Sequence, residues 1–454
     1  MSSETVGTEL ASALERAASP ADVAAAAADA DVIDGATAMS RIDGKPTILV
    51  VHASVGSGHR SAAIAVAEAF ERLKAEGSPV LAGKGLEDAR IEVLDILDFG
   101  RVDIDGDKTA SMFTGPTRPI YDITWRFTLT GRLLWGGGTV WSYVMFKKFT
   151  DFIAACKPVA VVATHITAAN SAVSARMLTG QAFPIVCVPT DYETEGFWPH
   201  KEADLFCVAT ESMAETLRPR KVEESRIAIT GIPVRGVADA EYDVEQVRRD
   251  FGLPLGKTIV LVMAGAHLPQ PYVQFRAAMD TVIPLIPDMP DMHFVFLPGR
   301  DKEYRTHLLD LQREHWISNM VVMDYVDRMQ ALMAACDLAI CKSGGLTVTE
   351  CLDMRLPMIL LGRSYGQEKV NTIMLTSLGA SMHVTTAREL SETLRHVHDF
   401  PHSLKGLLLN GEILRKPRAA ADIAEATIGL VGTTKPRRKH FVQFYWGGKP
   451  AHIR

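Results

Sequence analysis

Cys341-Lys342-Ser343-Gly344-Gly345-Leu346-Thr347-Val348-Thr349-Glu350, with Gly366-Gln367-Glu368-Lys369-Val370-Asn371 downstream, decides how the chain folds. Leu338 to Cys341 is a short apolar run that reads as a buried strand, and Thr347 to Met354 reads as the helix after it. Between them Gly344 and Gly345 let backbone N–H groups approach a ligand closely. A helix N-terminus adds unpaired donors and partial positive charge, together favouring an anion by up to about 2 kcal/mol in a partly buried site. A diphosphate suits that chemistry. Glu350, about one turn into the helix, would repel a diphosphate, but its carboxylate can accept two hydrogen bonds from a neighbouring ribose diol. The same letters also describe a plain strand-to-helix turn with a first-turn acid.

The second cluster favours the pocket. Met358 to Leu361 is another strand-like run, and Gln367, Glu368 and Asn371 follow it on a loop entering a helix. Loops at the carboxyl ends of adjacent parallel strands converge on one crevice. Near the other end, Thr47 to His52 is a continuous strand, Ala53-Ser54-Val55-Gly56-Ser57-Gly58-His59 a loop, and Arg60 to Glu76 an Ala-rich amphipathic helix. Gly56 and Gly58 fit the opening of a dinucleotide fingerprint, but Ser61 takes the third glycine position. No lysine followed by Ser or Thr makes it a phosphate-binding P-loop. Further strand-to-loop passages are Ala163-Thr164-His165, Cys187-Val188-Pro189-Thr190-Asp191-Tyr192 and, after Thr258 to Met263, Ala264-Gly265-Ala266-His267.

From Tyr325-Val326-Asp327-Arg328-Met329 through Cys336-Asp337-Leu338, Lys342-Ser343-Gly344-Gly345 and Gln367-Glu368 to Asn371, the chain resembles the GT-B glycolipid glycosyltransferases. It is similar to the monogalactosyldiacylglycerol synthases and processive diacylglycerol glucosyltransferases. More distantly it resembles the enzyme that adds N-acetylglucosamine to the lipid-linked peptidoglycan precursor. The resemblance runs from about residue 47 to about 398. It implies an α/β fold of the GT-B type, two doubly wound Rossmann-like domains facing a central cleft, and inverting transfer of a hexose from a UDP-sugar to diacylglycerol. It implies no metal and no cofactor beyond the UDP-sugar co-substrate.

Residue by residue, the resemblance assigns the donor to Gly265, His267, Val326, Ser343, Gly344, Gly345, Thr347, Glu350, Gln367, Glu368 and Asn371. The acceptor side takes Ser54, Gly56, Gly58, His165 and Trp198. His59 is the candidate base, since a neutral imidazole can take the proton of an attacking alcohol. Asp191 is the alternative base, with Trp198, His200 and Asp204 downstream completing the family's acid, aromatic and histidine pattern. Galactolipid relatives carry an aspartate where Ser54 stands, and a serine cannot replace it as a base at neutral pH. Relatives are also richer in glycine around Gly265.

Composition agrees with a two-domain catalytic protein. The chain has 454 residues, 47% of them hydrophobic, and a formal net charge of -6. That charge argues against a general nucleic-acid binder. The 6 cysteines form no CxxC pair and read as reduced thiols of a cytosolic protein. Residues 1–44 read as a variable extension with no secretory leader. The acceptor domain is read at 45–235, the nucleotide-sugar domain at 236–430 and a basic aromatic tail at 431–454, with Gly231-Ile232-Pro233-Val234-Arg235 marking the passage. Asp103-Ile104-Asp105-Gly106-Asp107 begins like a calcium loop, but Thr114 stands where the terminal glutamate belongs, so no calcium site is expected.

No stretch is long enough for a spanning helix. Ile120 to Phe149, where Trp125, Phe127, Trp135, Trp141 and Phe146 alternate with Arg126, Arg132, Lys147 and Lys148, suits an anionic membrane surface, as does the tail. Peripheral association with the inner face of the membrane follows as an expectation. An ordinary core helix is the other reading of Ile120 to Phe149. For the whole chain, transfer to another lipid-linked acceptor, a nicotinamide oxidoreductase or a silent sugar-nucleotide sensor stay open. Glucose, galactose and N-acetylglucosamine are not distinguished, nor are processivity and oligomeric state.

Overall fold

The structure is a computed structural model that describes residues 32–55, 57–101, 142–194, 198–236, 242–263, 271–299, 301–324, 326–364 and 367–434. These residues form two sheets whose strand pairs are parallel. The first contains β1 (Val32–Ile33), β2 (Thr47–His52), β3 (Arg90–Asp95), β4 (Ala160–Ala163), β5 (Ile185–Cys187), β6 (Leu205–Val208) and β7 (Ile227–Ile229). The second contains β8 (Thr258–Met263), β9 (Met292–Leu297), β10 (Met320–Val322), β11 (Leu338–Cys341), β12 (Met358–Leu361) and β13 (Ser381–Val384). The central strands are near-continuous apolar runs; all six residues of β2 and all four of β11 are buried. Helices cover both faces of such a sheet, so its strands do not alternate polar with apolar.

Strand order locates the site. The first sheet runs β1-β3-β2-β4-β5-β6-β7 and the second β10-β9-β8-β11-β12-β13. The chain winds from β2 to β3 on one side and then crosses to β4 on the other, so a switch point opens at the carboxyl ends of β2 and β4. In the second sheet it opens between β8 and β11. Loops diverge at such a point and leave a crevice. The sequence had singled out the loops after all four of these strands. Residues 264–270, after β8, lie outside the described residues.

Three local readings change. The helix after β2 is α1 (Ser57–Ala75), so Gly58 and His59 sit in its first turn rather than in a loop. The second lobe comes close there, since a Cβ on Gly58 would stand in ordinary contact, 3.5 Å, with Leu346 Cδ2. The helix after β11 is α3 (Gly345–Asp353), opening at Gly345 with Gly344 as its N-cap. The sequence grouping puts residues 419–430 with the second half, but α5 (Ala419–Leu430) returns to the first sheet. Ala420, Ile423, Ala424 and Ile428 enter its core beside Ala63, Ala67 and Phe70 of α1. Small side chains on both helices allow that packing. On the way, the residues just before α5 cross Gly231, whose φ of +94° and close approach to the Lys416 side chain and Ala419 exclude a Cβ.

Of the membrane-interface segment only 142–149 is described, and its Phe146 and Phe149 are core residues 1% and 0% exposed. Phe146 therefore has no access to a membrane surface. Lys147 pairs with Asp151 at 2.8 Å. The remainder of that segment, the calcium-like stretch and the tail from 435 lie outside the described residues. Among those described, no helix is long and apolar enough to cross a membrane.

Candidate active site between the lobes

His59, following β2, and His165, following β4, meet at the first switch point with ring centroids 4.6 Å apart, edge to face. His165 is the N-cap of α2 (Ile166–Thr179), where its Nδ1 accepts the Thr167 N–H at 3.1 Å, so Nε2 carries the proton. His59 Nδ1 lies 3.0 Å from the Thr164 carbonyl oxygen and 2.8 Å from the Thr190 hydroxyl. A carbonyl can only accept, which puts the His59 proton on Nδ1 and leaves Nε2 with a free lone pair. Thr164 Oγ1 donates to the His59 carbonyl at 2.9 Å and fixes that turn.

Charge in this cluster is set mainly by burial. Burial lowers the pKa of His59, against the neighbouring Asp191 carboxylate and the Thr164 carbonyl, which raise it. Burial raises Asp191; the Asn371 amide is the largest opposing influence, ahead of His59. The two values move toward each other, so they titrate as a pair rather than singly. His165 is driven well below the ordinary histidine range by burial and by His59 and His52. His52, at the end of β2, is brought to about 4 chiefly by burial, against Asp95. Neutral imidazoles are therefore the species present near neutrality.

The second lobe presents α3. Ser343 is 3% exposed, with its Oγ donating to the Glu368 carbonyl at 3.0 Å. Lys342 Nζ pairs with Glu368 Oε1 at 2.8 Å, both side chains about one third exposed. Beside them Gly344 is half-buried, while Gly345 is covered by the first lobe: a Cβ there would strike the Thr190 carbonyl and stand 2.9 Å from Asp191 Oδ1 and 3.0 Å from Asp191 Cα. The approach to the helix N-terminus in this structure is therefore past Lys342 and Gly344. Thr347 is half-buried on α3. Glu350, on the same helix, is pushed up to about 7 by burial and by Asp353, against Arg235. Arg235, at the passage between the lobes, also pairs with Glu68 of α1 at 2.7 Å.

Val326 lines a hollow of about 680 Å³ with Phe251, Val321, Met323, Asp324, Asp327, Arg328 and Asp250. Gln367 opens α4 (Gln367–Ser377). Gly56, Gly265 and His267 lie outside the described residues. Asn371 is fully buried and spans the lobes. Its Nδ2 donates to Asp191 Oδ1 at 2.9 Å and to the Ser343 carbonyl at 2.8 Å, and its Oδ1 accepts the Tyr192 N–H at 2.9 Å. Both of its N–H groups are taken and its oxygen is out of reach of solvent, so the side chain does not present itself to a sugar hydroxyl.

The downstream part of the acceptor pattern belongs to the core. Trp198, 6% exposed, packs edge-on against Phe206, and His200 stacks on the same ring at 5.7 Å. Asp204 pairs with Arg176 and accepts the Ile185 N–H at 2.8 Å. Apolar strand β6 draws these rings inward, so of that pattern Asp191 alone acts on His59, through its charge. Ser54 is exposed, and its N–H points at the Asp95 carboxylate, 3.2 Å from Oδ2. Sequence reasoning missed three residues here: Lys342, Thr190 and Asp95. Each stands at or just beyond a strand's carboxyl end, which is the signal that would have found it.

Comparison with known proteins bears on the fold and the family. Residues 120–234 match the family described as Monogalactosyldiacylglycerol (MGDG) synthase, and residues 259–406 the Glycosyltransferase family 28 C-terminal domain. The chain is 30% identical over 219 residues to the processive diacylglycerol beta-glucosyltransferase of Bacillus subtilis (strain 168), covering 48% of this chain and 56% of that one. With the enzyme of the same name from Bacillus pumilus (strain SAFR-032) it shares 26% identity over 250 residues, 55% and 63% of the two chains. The alignments thus span less than two thirds of these relatives' length. Among solved structures, Acinetobacter baumannii MurG superposes with a TM-score of 0.51 at 14% identity, covering 86% of this chain and 100% of that one. UDP-GlcNAc 2-epimerase from Neisseria meningitidis, bound to UDP-GlcNAc, gives 0.53 at 14%, covering 84% and 100%. At such identities the likeness is one of fold. Two parallel sheets facing a cleft, with a family match in each half, make this a chain of GT-B fold that resembles the glycolipid glycosyltransferases.

Proposed function

We propose that the protein transfers a hexose from a UDP-sugar to the free hydroxyl of diacylglycerol in one inverting displacement. The observation that supports this best is the meeting of His59 and Asp191 with the N-terminus of α3 across the cleft. His59 Nε2 takes the acceptor proton as the oxygen attacks the anomeric carbon. As the diphosphate leaves, its growing charge is met by the Lys342 ammonium and by amides near Gly344, in a site where exclusion of water strengthens each contact. Glu350 accepts from the ribose diol, and the hollow at Val326 receives the base. Gln367 and Glu368 hold sugar hydroxyls and so govern donor choice. The first lobe works at the membrane surface, from the inner face.

A donor panel of UDP-glucose, UDP-galactose and UDP-N-acetylglucosamine with diacylglycerol vesicles, read by mass spectrometry, tests the proposal. One hexose adduct of diacylglycerol is the expected product. Labelling of a different lipid would move the acceptor assignment, tight NAD binding would favour an oxidoreductase, and donor binding without turnover a sensor.

Glu350→Gln is expected to weaken donor use and also to stabilise the fold at alkaline pH. The folded-state value of about 7 lies above the ordinary 4.5. The cost of ionising Glu350 in the fold is therefore absent below 4.5, grows as pH rises, and is complete above about 7, amounting to no more than about 3 kcal/mol. Thermal unfolding at pH 8 and pH 4 checks this: the variant's midpoint should exceed the wild type's at pH 8 and match it at pH 4. Equal midpoints at both would contradict a buried carboxylate.

A further inference from the structure

We propose that Asn371, a residue of the second lobe, is a positioning residue that holds Asp191 toward His59, so that the acceptor-side pair is complete only when the lobes are closed. The proposal rests on the transfer reading for its kinetic consequences, but its geometry stands apart from it. Asn371 is 0% exposed, and its amide joins three groups from two loops: the Asp191 carboxylate, the Tyr192 N–H and the Ser343 carbonyl. The Ser343 and Tyr192 bonds settle which way the amide faces. A carbonyl at 2.8 Å requires the NH2 end, and a backbone N–H at 2.9 Å requires the oxygen. The remaining N–H can then only donate to Asp191 Oδ1, as it does at 2.9 Å.

Asp191 thus has one oxygen pinned from the opposite lobe. The charged groups around it are His59 of α1, Lys342 beyond β11 and Glu368 of α4. His59 and Lys342 favour its ionised form and Glu368 opposes it, while the Asn371 bond favours it more than any of the three. Separating the lobes would remove the Asn371 donor and Lys342 together. Asp191 would then protonate more readily and cease to support the His59 imidazolium. Closure over the donor and readiness of the base become one event, which keeps the cleft from activating an acceptor before a sugar is in place.

Asn371→Asp keeps the shape and replaces the donor with a second carboxylate, and Asn371→Ala removes that bond together with those to the Ser343 carbonyl and the Tyr192 N–H. Tyr192→Phe is the comparison, since it loses only the cross-lobe bond of its hydroxyl to Thr349 at 3.1 Å. In the full chain, Asn371→Ala should lower kcat by about 10- to 100-fold, the range for a lost hydrogen bond to a charged group, with donor KM changing far less. The acidic limb of kcat/KM should move to higher pH in Asn371→Ala and further in Asn371→Asp, and stay put in Tyr192→Phe. The 13C titration of the Asp191 carboxyl, followed without substrate, should shift upward in the same order. A rate loss with an unmoved acidic limb, or an unshifted carboxyl titration, would overturn the positioning role. If the wild type transfers no sugar but the carboxyl titration shifts, the transfer reading fails and the Asn371–Asp191 linkage stands.

Discussion

Replacing His59 by alanine is expected to reduce kcat for sugar transfer by about 10²- to 10⁴-fold, the usual range for a general base, with donor KM nearly unchanged. The split follows from placement. His59 belongs to the first lobe, with its Nδ1 held by the Thr164 carbonyl and the Thr190 hydroxyl, and it takes no part in the Lys342–Glu368 pair of the donor side. Its burial-lowered pKa keeps the imidazole neutral below the ordinary histidine value of 6.5. Activity should accordingly persist to more acidic pH than an exposed histidine would allow, until the His59–Asp191 pair takes up a proton. Steady-state kinetics across pH 5 to 9 check both points. A variant that keeps its kcat would remove His59 from the mechanism.

Gly345→Ala is expected to be the most damaging small substitution in the cleft. The added methyl would meet the Thr190 carbonyl and Asp191 Cα, which are backbone and cannot turn aside. Either α3 or the loop after β5 must back away, at about 1 to 3 kcal/mol for an overpacked site. Retreat of that loop also carries Asp191 and Thr190 away from His59, so turnover should fall more than stability does. Gly344→Ala provides the contrast. Its methyl would meet the Lys342 Cε at 3.1 Å, the far end of a flexible side chain that can move. Urea denaturation of both variants, beside their transfer rates, should separate them clearly; equal stability loss would show that the lobes do not close on Gly345 in solution.

What could be read from sequence was local. A continuous apolar run followed by glycine or histidine marks a parallel strand entering its crossover, and that signal found the loops after β2, β4, β8 and β11; after β5 the proline and the polar Thr190-Asp191 served instead. What could not be read was which loops face each other. Asn371 and Asp191 are far apart in the chain, and nothing in Gln367-Glu368-Lys369-Val370-Asn371 says that its last member reaches the other lobe. Trp198, His200 and Asp204 failed for the opposite reason. An acid, an aromatic and a histidine can line a cleft or serve a core; here Phe206 takes the two rings and Arg176 takes the acid. Helix α5 escaped because its alanines fit any close-packed helix, and its partner α1 belongs to the other half of the chain.

Incubating the full chain with radiolabelled UDP-hexose and diacylglycerol vesicles, then extracting with chloroform, tests the central claim most directly. Label should pass into the lipid phase with the wild type and fall to near background with His59→Ala. Label that stays in the aqueous phase while the donor binds, or lipid labelling that His59→Ala leaves intact, would contradict it.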